Sequence, residues 1–228
     1  MSVILVIAPH ADDETIAMGG TIARLASEGH SVVVAVLTGH GQDGPHPLWP
    51  KSAWAQVREE CQLACQVLGV EKILFRELPA ACLDALPAWQ VNAIVDEVLQ
   101  EVEPDDVYIP FAFDLHKDHR VINYAVHVST RPYLPKARKI KRLLAYETLS
   151  ETHLAAPFME PAFQPNIFVN IEATLEKKLE AMQCYASQLQ PANMPRSIDA
   201  LRALATYRGN HIGCYAAEAF ILLGQYVR

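Results

Sequence analysis

Two uninterrupted apolar runs constrain this chain most. Val3-Ile4-Leu5-Val6-Ile7-Ala8 carries no polar residue, and neither does Val32-Val33-Val34-Ala35-Val36-Leu37 within 31–38. A strand that alternates polar and apolar residues can leave one face in water. A strand that is apolar throughout must be covered on both faces. Between the two runs, residues 21–28 read as a helix with Ile22, Leu25 and Ala26 on one side. Gly19-Gly20 opens that stretch and Gly29 is well placed to stop it. Strand, helix, strand at this spacing predicts a βαβ unit and a parallel sheet.

The alternation continues. The pattern predicts a helix over 52–68 ended by Gly69, a short strand over 72–75, and a helix over 88–102 that stops before Pro104. A buried strand over 107–109 ends at Pro110, and a helix follows over 118–129. The expected fold class is α/β, a Rossmann-like, mostly parallel open sheet with helices on both faces. After Arg131-Pro132 the pattern loosens into strands at 143–146 and 167–169 and helices at 175–185 and 198–207. This stretch reads as a small C-terminal cap. The expectation is one domain over 1–228, with a core over 1–132 and a cap region over 133–228.

Composition excludes several classes. With 19 basic against 26 acidic residues, the formal net charge is −7, which argues against a non-specific nucleic-acid binder. No apolar run reaches the roughly 18 residues of a membrane helix. The first run lacks a positively charged flank and meets His10 and Asp12 at once, so it reads as a strand rather than a signal peptide. Five scattered cysteines, an odd number, fit a reducing, cytoplasmic compartment. Cys61 and Cys65 share one helix face and read as buried, inert thiols.

In an open α/β sheet, ligands bind beyond the carboxyl ends of the strands. The first strand is followed by Pro9-His10-Ala11-Asp12-Asp13-Glu14, and the strand at 107–109 by Asp114-Leu115-His116-Lys117-Asp118-His119. Three adjacent carboxylates repel one another and raise each other's pKa, a cost that a divalent cation removes. Taken singly, each cluster also reads as an acidic helix start or a polar loop with a cap at Asp118. Taken together, they place two histidines and a carboxylate at one sheet edge. Three protein ligands plus water describe an open catalytic zinc site. The same donors also suit ferrous iron.

Other signals are weaker. Gly39-His40-Gly41-Gln42-Asp43-Gly44 matches the dinucleotide pattern, but Pro45 and Pro47 follow where a helix must open. The expectation is a mobile loop over the strand ends, with His40 and His46 as exposed loop residues. Trp49 reads as a packing residue, with stacking on a sugar ring as the alternative. Arg208 could grip a phosphate or carboxylate, and His211 could line the pocket.

His10-Ala11-Asp12-Asp13-Glu14, then Gly19-Gly20, then His116-Lys117-Asp118-His119, resembles the LmbE-like or PIG-L family of zinc-dependent de-N-acetylases. The usual first motif is His-Pro-Asp-Asp-Glu, and here Ala11 replaces the proline. Weaker likenesses run through Arg58-Glu59-Glu60, residues 146–150, residues 185–188 and the stretch from Arg208 to Phe220. The resemblance implies His10, Asp13 and His119 as metal ligands and Asp12 as general base on the attacking water. It implies His116 as oxyanion stabiliser and proton donor to the leaving amine, with Asp118 orienting or charging it. Arg58 is implied as a substrate contact. The implied reaction removes acetyl from an N-acetylated amino sugar or its conjugate, releasing acetate and a free amine. The implied partner is that small molecule, with no nucleic acid and no membrane span; a homo-oligomer is compatible with it. An amidase of a sugar–thiol conjugate and a non-catalytic α/β ligand-binding protein are the alternatives.

Overall fold

A computed structural model of the chain describes residues 1–41, 46–156 and 158–228. Seven strands form one sheet: β1 (Val3–Ala8), β2 (Ser31–Gly39), β3 (Lys72–Pro79), β4 (Asp106–Pro110), β5 (Arg142–Tyr146), β6 (Ile167–Asn170) and β7 (Ala217–Gln225). Their order across the sheet is β3-β2-β1-β4-β5-β7-β6. The pairs from β3 to β5 are parallel, while β7 runs antiparallel to both β5 and β6. Residues 133–228 therefore supply three strands of the same sheet. Strand β7 has no counterpart in the sequence reading. Its run, Ala-Glu-Ala-Phe-Ile-Leu-Leu-Gly-Gln, is neither alternating nor free of charge.

Six helices cover the sheet: α1 (Asp13–Ser27), α2 (Lys51–Leu68), α3 (Ala88–Val102), α4 (Lys117–Ser129), α5 (Leu175–Cys184) and α6 (Ile198–Asn210). Helices α1, α2, α5 and α6 pack on one face, where Ile4, Val6, Val34, Leu68 and Met182 are buried. Helices α3 and α4 cover the other, with Leu5, Ile7, Val98, Val107 and Ile122. Successive residues of β1 thus enter opposite cores, as the continuous apolar run requires. No helix among the described residues is long and apolar enough to cross a membrane.

Strand order explains why two distant sequence clusters meet. From β1 the chain builds outward through β2 and β3, then returns to lay β4 on the other side of β1. That reversal is a topological switch point, where adjacent loops diverge and leave a crevice. The loops after β1 and β4 flank it.

Helix α1 departs from the sequence reading, which opened it at Gly19-Gly20. It begins at Asp13 and is bent at Met18, whose φ/ψ of −146/26 is not helical. The two glycines lie just past the bend and serve close packing. A Cβ on Gly20 would stand 2.6 Å from Ile171 Cδ1 and 2.9 Å from Ile171 Cβ. The bend frees backbone amides, and a buried carboxylate takes them. Glu218 of β7 accepts from Gly20 N–H at 3.0 Å and from Thr21 N–H at 2.6 Å, and it pairs with Lys178 Nζ at 2.5 Å. Gly20→Ala is expected to destabilise the fold by about 1–3 kcal/mol through overpacking. A shift of the urea midpoint at matched metal load measures this. An unchanged midpoint would mean that Ile171 yields freely.

The glycine-rich segment lies partly outside the described residues, at 42–45, and so does its reading as a mobile loop. His46 departs from the sequence reading: it is buried, bonded through Nε2 to the Ala80 carbonyl at 2.6 Å. Its ring packs against Trp49 and Trp54, which bury a histidine where polarity alone suggests solvent.

Candidate active site

The loop after β1 is tightly tied. Asp12 has φ 120 and ψ −29, a region that non-glycine residues rarely occupy. Its N–H donates to Glu14 Oε2 at 3.1 Å, and Glu14 Oε1 accepts from the Tyr185 hydroxyl at 2.5 Å and the Thr15 hydroxyl at 2.7 Å. The fully buried Glu14 thus holds the strained turn from behind. Donor atoms of Cys61 and Cys65 also come close to Glu14. Those carboxylate oxygens are already engaged, and a hydrogen bond donated to Cys61, with burial, pushes the Cys65 thiol well up. This cluster is therefore a packed one, its carboxylate already fully engaged.

The turn delivers His10 and Asp13 side by side, and β4 with α4 delivers His119. Asp13 Oδ2 stands 3.3 Å from His10 Nδ1 and 3.3 Å from His119 Nε2. Donors about 2.0–2.1 Å from a tetrahedral ion lie roughly 3.4 Å from one another. Two further carboxylates set the tautomers. Asp118 Oδ2 accepts from His10 Nε2 at 2.9 Å, and Asp114 Oδ2 accepts from His119 Nδ1 at 2.7 Å. Each ring therefore turns its other nitrogen toward Asp13. His119 Nε2 is buried and has no hydrogen-bond partner among the described residues, although Asp13 Oδ2 lies 3.3 Å away. An unpartnered buried ring nitrogen, a second imidazole and a carboxylate at tetrahedral spacing fit a divalent ion. Outer carboxylates behind ligating histidines are the usual support for one.

The electrostatics agree. Burial lowers the His10 pKa, but hydrogen bonds to Asp118 and Asp13 outweigh it and raise the value to about 9. His119 is likewise raised against burial, by the charge of Asp13 and the bond to Asp114. Asp13 is driven down, the two imidazoles overcoming its burial. Together these shifts show imidazoles and carboxylates held in strong mutual pairing. Asp12 moves the other way: burial, then the charge of Asp13, push its carboxyl well above the usual range.

His10, Asp12, Asp13, His116 and His119 share the wall of one cavity of about 470 Å³. Trp49, Trp54, Val57, Ser150, Glu151, Gln188 and Arg196 complete much of the lining. Trp49 therefore borders the cavity as well as packing edge-on against Trp54, with ring centroids 5.9 Å apart.

Three sequence expectations change. First, Asp118 neither caps α4 nor charges His116. The N-cap is His116, whose Nδ1 accepts from Asp118 N–H at 3.2 Å, and the Asp118 carboxylate is 4.0 Å away. That carboxylate instead bonds His10, Ala81 N–H at 2.6 Å and Leu83 N–H at 3.2 Å. Burial and the nearby charge of His10 lower His116 to about 4, so its ring is neutral, with its proton on Nε2. Second, Arg58 turns from the cavity toward β3. It pairs with Glu77 at 2.6 Å, donates to the Arg76 carbonyl at 3.0 Å and lies over Phe75. Third, Arg208 and His211 lie outside the cavity lining. Arg208 is buried in a two-point pair with Glu147, at 2.7 and 2.6 Å, and His211 stacks on Phe168.

Sequence reasoning gave no role to Asp114, Glu151 or Arg196. Asp114 stands five residues before His119, a spacing that only the β4–α4 turn makes meaningful. Arg196 sits in a polar loop with no patterned neighbour.

Comparison with known proteins gives a consistent result. The family described as GlcNAc-PI de-N-acetylase, PIG-L, matches residues 5–129. The diacetylchitobiose deacetylase of Thermococcus kodakarensis is 28% identical over 225 residues, 94% of this chain and 80% of that protein. A probable N-acetyl-alpha-D-glucosaminyl L-malate deacetylase 2 of Bacillus anthracis is 22% identical over 81% of this chain and 80% of its own. The crystal structure of a conserved protein from Thermus thermophilus superposes with a TM-score of 0.77 at 26% identity, covering 100% of this chain and 97% of that one. The family match spans more than half of the sequence and takes in both loops that meet at the switch point, so the chain belongs to the PIG-L family.

Proposed function

We propose that this protein is a metal-dependent N-deacetylase, hydrolysing the acetamide of an N-acetylated amino sugar or its conjugate to acetate and a free amine. The observation that carries the reading is the convergence of His10 Nδ1, Asp13 Oδ2 and His119 Nε2 beside Asp12 and His116 on one cavity wall. The deacetylase names of the two curated relatives point the same way.

His10, Asp13 and His119 would hold the ion, with zinc the best match to two imidazoles and a carboxylate and ferrous iron the alternative. When bound, such an ion polarises the acetamide carbonyl and lowers the pKa of water. The remaining work falls to this chain. Asp12, buried and with a raised pKa, accepts a proton from the attacking water and returns it to the leaving nitrogen. His116, with Nδ1 occupied by a backbone N–H, presents Nε2–H as a neutral donor for the oxyanion. This departs from an imidazolium role for His116 and makes Asp12 the proton carrier in both directions. Asp118 and Asp114 are positioning residues, each fixing the tautomer of a ligand histidine.

Asp114→Asn is expected to weaken Zn(II) binding by about 10–100-fold, because the amide can present its N–H₂ to His119 and reverse the tautomer. Competition against a chromophoric chelator measures this, and unchanged affinity would remove Asp114 from the role. The function itself is tested by loading the purified protein with Zn(II) or Fe(II) and assaying amine and acetate release. Substrates would include diacetylchitobiose and N-acetylglucosaminyl conjugates. Stoichiometric metal without release from any N-acetyl sugar would overturn the deacetylase reading.

A further inference from the structure

Arg196 stands in the loop between α5 and α6, immediately before Ser197, whose hydroxyl caps α6 by accepting from Ala200 N–H at 3.1 Å. Its main chain is clamped to one neighbour: its N–H donates to Gln190 Oε1 at 3.1 Å, and its carbonyl accepts from Gln190 N–H at 3.0 Å. The side chain therefore starts from a fixed point. It reaches the cavity wall shared with His10, Asp12 and Asp13.

This arginine borders the cavity without an ion pair; Arg131, Arg138 and Arg228 also lack a carboxylate among the described residues but lie outside the cavity lining. Arg58, Arg120, Arg142, Arg202 and Arg208 each rest on a carboxylate. Arg196 has no carboxylate within ion-pair distance among the described residues, and its Nε is shut from solvent with no hydrogen-bond partner. Its charge is felt at Asp12, yet the two do not close into a pair. A guanidinium stays charged at any physiological pH and offers a planar fork of donors matched to carboxylate or phosphate. The shut-in Nε is beyond a ligand's reach, so what the cavity offers is the two Nη nitrogens, which close no ion pair or hydrogen bond among the described residues.

The rest of the wall sharpens the argument. Asp12 and Glu151 are acidic. The Ser187 hydroxyl is already given to Glu60 at 2.5 Å. An anion entering this cavity therefore finds a charged donor at Arg196, well apart in role from the carboxylates that surround the ligand triad.

Building on the deacetylase reading, we propose that Arg196 is a specificity-determining residue. It receives a carboxylate or phosphate carried by the substrate away from its acetamide. The preferred substrates are then N-acetyl amino sugars conjugated to an anionic group.

Matched substrate pairs test this. One pair is an N-acetylglucosaminide with a carboxylate-bearing aglycone and its primary carboxamide. The other is N-acetylglucosamine 1-phosphate and the methyl glycoside. In the metal-loaded wild type, kcat/KM should favour the anionic member of one pair by about tenfold, mainly through KM. Whichever pair shows the preference identifies carboxylate or phosphate. In Arg196→Gln that ratio should fall about tenfold, and Arg196→Lys should restore part of it, with thermal melts confirming that both variants fold. An arginine acting only on the charge of Asp12 would lower both members equally, shift the pH profile and leave the ratio intact; that result overturns the proposal, as does a wild type with no preference in either pair. If the wild type releases no amine at all, the deacetylase reading fails, and calorimetric Kd values for the same pairs still decide. An Arg196-dependent preference for the anion sustains the inference, and its absence overturns it.

Discussion

Purified His119→Ala is expected to carry no stoichiometric metal and to show turnover at background, where the wild type carries about one ion per chain. His119 is fully buried and is held by Asp114 so that Nε2 faces Asp13. Removing it takes away one of three donors and leaves Asp114 with its buried Oδ2 unpaired. Elemental analysis after dialysis measures the metal, with circular dichroism confirming the fold. Full occupancy in a folded variant would mean that the ion sits elsewhere, and the pair of His10 and His116 with Asp118 would be the next place to look.

Asp12→Asn should do the reverse, keeping the metal and losing about 10²–10⁴ in kcat. Asparagine is the fair replacement because it tolerates positive φ, and the Asp12 turn sits at φ 120. Alanine there would mix loss of the base with backbone strain. The variant keeps the N–H that Glu14 accepts, so the turn and the ligand pair it presents should survive. Loss of metal would make Asp12 a ligand, and an unchanged kcat would move the base to another group.

The core of the fold was legible because β1, β2 and β4 carry continuous apolar runs, a pattern that a sheet covered on both faces produces. The meeting of the two His/Asp clusters was legible for the same reason, since each follows one of those strands. What sequence could not give was orientation. Asp118 is two residues from His116 yet serves His10, because the α4 cap turns the backbone N–H of Asp118, not its carboxylate, onto His116. Arg58 shares α2 with Val57, but only Val57 borders the cavity. Gly19-Gly20 looked like a helix start because glycine usually disfavours helix interiors. Here the crowding of Ile171 against Gly20 outweighs that preference.

The anchoring of α1 by Glu218 also bears on how the protein is made. Every metal ligand proposed above lies within the first 119 residues, and a ribosome finishes them long before it reaches β7. A nascent chain stalled short of residue 217 would contain all three residues, but α1, which begins at Asp13, would still lack the carboxylate that takes its Gly20 and Thr21 amides. The seating of α1, and of the turn before it that carries His10 and Asp12, is therefore complete only once the antiparallel strand has been made, however early those residues themselves are synthesised.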